Sequence, residues 1–252
     1  VNAERAQYLV VEDSFPNGRP PLEKAGVFFG TRQTVDRAET MKVTTCLNPL
    51  HTAMSVYGCM LGYTRICDEM KDPDVVRLIR TLGYQEGLPV VTDPGILSPK
   101  AFIDEVVNER LANPFLPDTP QRIVTDTSQK VAIRFGETLK KYLAAGMPLK
   151  QLKAIPLALA GWLRYLLAVD DRLAPMEVSS DPLREELQAL LAGIQPGKPA
   201  CCHEKLSRIL SNEAIFGLDL VKAGLLERIE EMFCAELEGP GAVRAALQRF
   251  LA

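Results

Sequence analysis

Residues 34–63 read TVDRAETMKVTTCLNPLHTAMSVYGCMLGY, and this stretch decides the fold class. Its apolar residues recur at helical spacing, as at Leu50, Ala53, Met54 and Tyr57, rather than alternating as in a half-buried strand. Asn48-Pro49 interrupts the pattern, so two helices are expected, over 34–47 and 49–63. Downstream the signal stays helical, with further helices expected over 72–83, 99–111, 119–145, 150–170, 182–192, 206–210, 218–237 and 241–252. Asp72-Pro73, Ser98-Pro99, Thr119-Pro120 and Asp181-Pro182 each put a capping side chain before a proline at the first helical position. Gly146, Gly193 and Gly239 stand where helices should stop. Upstream lie two β-like runs, 7–11 and 27–29, separated by the Pro- and Gly-rich loop 15–21. Two short strands are too little for an independent sheet, so they are expected to join one completed by other residues. The expected class is mainly α: a multi-helical domain with a short N-terminal β appendage, without internal repeats.

The 252 residues are 47% hydrophobic and 24% charged, with a net charge of −3, as in an ordinary globular chain. That balance offers no field to draw nucleic acid or an acidic membrane surface. No apolar run reaches the ~18 residues of a membrane span, and the first residues lack the basic start of a signal peptide. The sequence starts without Met and enters at once on a strand-like run, so a fragment or processed chain is expected. None of the six cysteines forms a CxxC pair, which predicts reduced thiols in a cytoplasmic protein. Cys201-Cys202-His203 lacks a second ligand pair at metal-binding spacing, so no metal site is expected.

Polar chemistry concentrates at Glu39-Thr-Met-Lys42-Val-Thr-Thr-Cys-Leu-Asn48-Pro-Leu-His51. Asn48 and His51 sit about 60° apart on a helix and can face one cleft. Asn48 before Pro49 reads as an N-cap, which would set both side chains near a positive helix end, suited to an oxyanion or a sugar hydroxyl. A neighbouring lysine can serve as general acid or base once burial or nearby positive charge lowers its pKa. A solvated Lys, a capping Asn and a structural His are the alternative reading, and spacing alone leaves both open. In a second cluster Arg122, Asp126 and Lys130 are spaced by four, within about 80° of arc on a helix. It suits either an exposed ion-pair ladder or a polyhydroxy or carboxylate ligand.

The two clusters in this order resemble the mannitol dehydrogenase family of polyol-specific long-chain dehydrogenases, which includes fructuronate and tagaturonate reductases. Its pattern has a Lys, then Asn-x-x-His, then an Arg and a Lys eight apart around an Asp. Here these are Lys42, Asn48 to His51, and Arg122 to Lys130 around Asp126. Glu12-Asp-Ser-Phe-Pro-Asn-Gly-Arg19-Pro resembles the family's joining segment, and Ile215-Phe-Gly-Leu-Asp-Leu220 its late IFG-x-DL stretch.

The resemblance implies an NAD- or NADP-dependent, metal-independent oxidoreductase that interconverts a sugar alcohol or aldonate with the matching ketose or keto-uronate. By position, Lys42 is the general acid/base, Asn48 binds the developing oxyanion, and His51 orients substrate hydroxyls. Arg122 and Lys130 hold the distal end of the substrate. Residues 1–33 would connect from a cofactor domain and 34–252 form the helical substrate domain. No G-x-G-x-x-G follows a strand, so a Rossmann domain is expected as a partner, in cis or in trans, and cofactor-binding residues in this chain are unassigned. A polyol or sugar acid is the expected ligand, homo-oligomerisation is open, and a non-catalytic helical module derived from the same domain is the alternative. One departure stands out: Lys and Asn are five apart in the family and six apart here. One extra residue on a continuous helix turns Lys42 by ~100°, so either a helix break before Pro49 absorbs it or Lys42 is not the equivalent lysine.

Overall fold

The structure, a computed structural model, describes residues 9–198 and 202–252. Among these, strands are confined to β1 (Val10–Glu12) and β2 (Phe28–Gly30), which pair in parallel with Val10 opposite Phe28. The connection between them is pinned by Arg19, whose guanidinium lies 3.5 Å from the centre of the Phe29 ring. It also meets Asp13 at 2.9 Å and Glu23 at 2.6 Å. Leu9, Phe15, Leu22 and Phe28 remain exposed.

Helices make up the rest. α1 (Arg32–Met41) starts where Thr31 Oγ1 accepts from Thr34 N–H. There follow α2 (Asn48–Met60), α3 (Ile66–Glu69), α4 (Pro73–Arg80), α5 (Pro99–Glu105), α6 (Pro120–Ile123) and α7 (Glu137–Ala144). The remainder are α8 (Ala154–Tyr165), α9 (Arg184–Leu190), α10 (His203–Leu210), α11 (Glu213–Phe216), α12 (Leu226–Ala235) and α13 (Ala242–Phe250). Asp72, Ser98 and Thr119 cap α4, α5 and α6 ahead of prolines, as expected. Gly146 and Gly193 follow α7 and α9 with positive φ.

α2 and α8 form the centre. All twelve residues of α8 are buried, as required of a helix that is apolar all round. It packs between α2 and α12. The approach to α2 is close: a Cβ on Gly161 would stand 2.6 Å from the Tyr57 ring. Tyr57 Oη lies 2.8 Å from the Leu157 carbonyl and 2.5 Å from Glu236 Oε1, tying all three helices together. The α8 N-terminus is capped from a distance. Glu86 accepts from the N–H groups of Lys153, Ala154 and Ile155 at 2.5, 2.7 and 2.8 Å, a buried carboxylate facing the positive end of a helix.

Four expectations change. Residues 119–145 are not one helix: α6 ends at Ile123, Asp126 turns left-handed (φ 53°), and a 3₁₀ turn Thr127–Gln129 precedes the next helical segment. Arg122, Asp126 and Lys130 therefore do not form a ladder on one helix face. α12 starts at Leu226, later than position 218, because Asp219 instead turns the chain by accepting from Val221 and Lys222 N–H. Asp181 accepts from Ser128 and Leu183 N–H and α9 starts only at Arg184. Finally, helices repeatedly relax into π turns, at Lys42–Cys46, Thr81–Gly87, Val106–Arg110 and Ala132–Gly136. Hydrophobic periodicity does not distinguish an i→i+5 turn from an i→i+4 turn over so short a run.

Among the described residues no helix is long and apolar enough to cross a membrane, and no three His, Cys, Asp or Glu side chains gather to hold a metal ion. Of the Cys201-Cys202-His203 triplet, Cys201 lies outside the described residues. His203 faces Glu230 at 2.7 Å.

Candidate active site

The π turn Lys42–Cys46 stands where the extra residue has to be accommodated. Leu47 N–H donates to the Lys42 carbonyl at 3.1 Å, closing i→i+5. Such a turn holds one more residue than an α turn, the geometry that would take up the extra position the resemblance implies between Lys42 and Asn48. Leu47 then leaves helical geometry (φ −134°, ψ −64°) and α2 begins at Asn48. The break thus falls two residues before Pro49. Asn48 is the first helical residue rather than the cap, a correction to the sequence reading.

A carbonyl that this distortion frees is satisfied by a side chain. The i→i+5 partner of the Thr44 carbonyl is Pro49, which has no N–H, and the Thr138 hydroxyl donates to it instead at 3.1 Å. A Cβ on Gly87 would stand 2.8 Å from Thr45 Cγ2, so a neighbouring π segment packs directly on this one. Lys42 Nζ pairs with Glu39 at 2.8 Å, with its side chain 33% exposed. The half-buried Asn48 carboxamide makes no hydrogen bond among the described residues.

His51 lies one turn further along α2, with its side chain 12% exposed and Nε2 3.8 Å from Asp118 Oδ2. Nε2 is buried and has no hydrogen-bond partner. Burial pushes the His51 pKa down to about 4; Asp118 pulls it up, while Arg110, Arg134 and Arg122 push it further down. The imidazole is neutral at pH 7. Asp118 is shared, because it also pairs with the exposed Arg122. Arg134, in the π turn Ala132–Gly136, donates to Thr52 Oγ1, and burial pushes its pKa down to about 10. Thr52 in turn donates to the Asn48 carbonyl at 2.9 Å, so the start of α2 is joined to this group. Lys130 spends its ammonium on the Thr125 carbonyl. Its pKa is lowered by burial and then by Arg134, against the pull of Asp126 and Asp181.

The structure thus brings His51, Arg122 and Lys130 into one electrostatic neighbourhood through Asp118 and Arg134. Lys42 and Asn48 adjoin it along the chain, with Lys42 directed to Glu39. Sequence reading overlooked Arg134, Thr52, Arg110 and the bridging role of Asp118. The available signals were the positions of Arg134 four residues past Lys130 and Asp118 four residues before Arg122. The IFG stretch supports this site from behind. A Cβ on Gly136 would fall 2.0 Å from the Phe216 carbonyl, and Gly217 (φ 78°) faces Ala132, so the chain at 216–217 seats the segment that carries Arg134.

A helical domain that sets an Asn-x-x-His turn against a half-buried cationic cluster matches a defined class. The family model for the mannitol dehydrogenase C-terminal domain matches residues 34–235, and the chain belongs to the mannitol dehydrogenase family. It is 54% identical over 251 residues to the D-mannonate oxidoreductase of Thermotoga maritima, covering 98% of this chain and 46% of that protein. It is 32% identical over 233 residues to the mannitol 2-dehydrogenase of Phaeosphaeria nodorum, covering 91% of this chain and 36% of that protein. The structure superposes on the Pseudomonas fluorescens mannitol 2-dehydrogenase ternary complex with NAD and D-mannitol with a TM-score of 0.79 at 26% identity. That superposition covers 96% of this chain and 46% of the other. The chain therefore spans less than half the length of these relatives.

Proposed function

We propose that this chain is the substrate-binding and catalytic half of an NAD- or NADP-dependent oxidoreductase, acting on an aldonate or sugar alcohol and the matching keto-uronate or ketose. The observation that carries this reading is the neutral His51 set in a group of cations beside the Asn48 turn, a hydrogen-bonding surface with surplus positive charge. The likeness to proteins named for D-mannonate and mannitol supports it. Residues 34–252 serve as the substrate domain and 1–33 as the connection to a cofactor domain. The described residues do not themselves fit a dinucleotide, since no glycine-rich turn between strand and helix is among them to cradle a pyrophosphate. A Rossmann domain, in cis or in trans, would supply that cradle, and the nicotinamide cofactor bound there would provide hydride-transfer chemistry.

The residues of this chain do the rest. Lys42 moves the proton at the reacting oxygen, taking it from the alcohol in oxidation and returning it to the carbonyl in reduction, without a metal. To do so it leaves Glu39, an i,i+3 partner whose pairing at a solvent-accessible position is worth only ~0.3 kcal/mol. The Asn48 carboxamide donates to the oxygen as it gains negative charge. His51, neutral and with Nε2 unused, hydrogen-bonds a substrate hydroxyl without adding charge. Lys130 and Arg122 engage the far end of the substrate.

The test is Lys42→Met in the enzyme completed by its cofactor domain, assayed in both directions. Turnover is expected to fall by about 10²–10⁴-fold with the unfolding temperature retained. Unchanged turnover would remove Lys42 from the chemistry.

A further inference from the structure

The charges around His51 are not balanced, and the imbalance centres on a residue given no role so far. Arg134 is half-buried, and among the described residues no carboxylate pairs with it. Its contact is the neutral Thr52 hydroxyl, one position beyond His51. Lys130, four residues earlier, likewise spends its ammonium on a carbonyl. Asp118 is already committed to Arg122. An uncompensated guanidinium withdrawn from water opposes folding, and an apolar side chain of equal size would pack there without that cost. The planar fork offers five N–H donors, of which Thr52 uses few, and it matches a carboxylate through two parallel bonds.

We propose that Arg134 is a specificity-determining residue that binds the terminal carboxylate of an open-chain sugar acid, with Lys130 as the second cation of that subsite. The substrate class is then an aldonate and its keto-acid counterpart, with neutral polyols as poorer ligands. This rests on the oxidoreductase reading for the identity of the reaction, but the carboxylate site stands on its own chemistry. Arg122 is the less suitable clamp, being exposed and already paired. Arg134 is carried by the π turn Ala132–Gly136, which the 216–217 backbone braces, and its guanidinium is anchored at Thr52 before the ligand arrives.

The test uses the 252-residue chain, with sodium D-mannonate and D-mannitol as probes. Thermal unfolding and calorimetric titration are run on wild type, Arg134→Met and Arg134→Lys. The wild type is expected to bind mannonate more tightly than mannitol. The ratio of the two affinities should fall by about 100-fold in Arg134→Met, the loss of a charge-assisted pair of hydrogen bonds. It should fall by about tenfold in Arg134→Lys, which keeps the charge but not the fork. Should the Met variant not fold, the Lys variant carries the measurement. Equal loss for both ligands, or an unchanged ratio in a folded variant, overturns the proposal, as does a wild type that binds mannitol as well as mannonate. A parallel turnover assay with the cofactor domain present separates the two readings. Mannonate binding that depends on Arg134, without nicotinamide-dependent turnover of either sugar, refutes the oxidoreductase reading and leaves the carboxylate site standing.

Discussion

Two arginines near opposite ends of α2 are treated differently by the fold. Arg244, on α13, meets Asp72 at 2.7 Å and Asp74 at 3.0 Å. Asp72 also accepts from Tyr63 Oη at 2.8 Å, and Gln248 donates to Asp74 at 2.9 Å. Although burial works to raise it, the Arg244, Tyr63 and Asp74 N–H hydrogen bonds hold the Asp72 pKa below the ordinary carboxylate range. Every charge there has a partner, and the cluster joins the C-terminal helix to the start of α4. Arg134, by contrast, sits beside a neutral hydroxyl, an unprotonated imidazole and a second cation. A satisfied cluster serves the fold; one left short of counter-charge marks where a ligand completes the electrostatics.

The contrast can be broken first at Arg244. Arg244→Met strands two buried carboxylates, and the unfolding free energy should fall by about 3–5 kcal/mol. Arg134→Met removes a charge without stranding a carboxylate and should cost less than about 1 kcal/mol or raise stability. Denaturant titrations of the two variants side by side measure the difference, and equal losses would erase the distinction. A smaller effect comes from His51. Its folded pKa of about 4 lies below its ordinary value of 6.5, so the unfolded chain takes up a proton first as pH falls. The native state should lose stability between pH 6.5 and 4, by about 3 kcal/mol in all. His51→Gln should flatten the pH dependence of Tm over that window; a slope equal to wild type would show that the imidazole is not held neutral. The smallest effect belongs to Glu39→Gln, which releases Lys42 from an accessible pair. Stability should change by no more than about 0.5 kcal/mol, with any change appearing in the pH profile of turnover.

The fold class was legible because long helices announce themselves through apolar spacing and proline-marked starts, as at Asp72, Ser98 and Thr119. The break-up of 119–145 was not, since nothing in the Arg122–Lys130 spacing signals that Asp126 takes a left-handed conformation. The site was legible in part. Asn48 and His51 stand close in sequence and share one helix, whereas Arg134 reaches Thr52 across 82 positions, a contact that only the packing of the 132–136 segment against α2 creates. Asp118, four residues before Arg122, likewise gave no sign of its approach to His51, which depends on how the 111–118 chain returns to α2.

The π turn at Lys42–Cys46 bears on how relatives of this chain are found. An added residue is normally looked for in a loop, where it lengthens a connection and disturbs nothing else. Here a π turn gives the helix room for one more residue, with the Thr44 carbonyl accepting from Thr138. A search pattern demanding a fixed interval across such a turn would pass over chains that differ by one residue there. A pattern written in terms of helical phase, allowing one more residue wherever a π turn can form, would keep them.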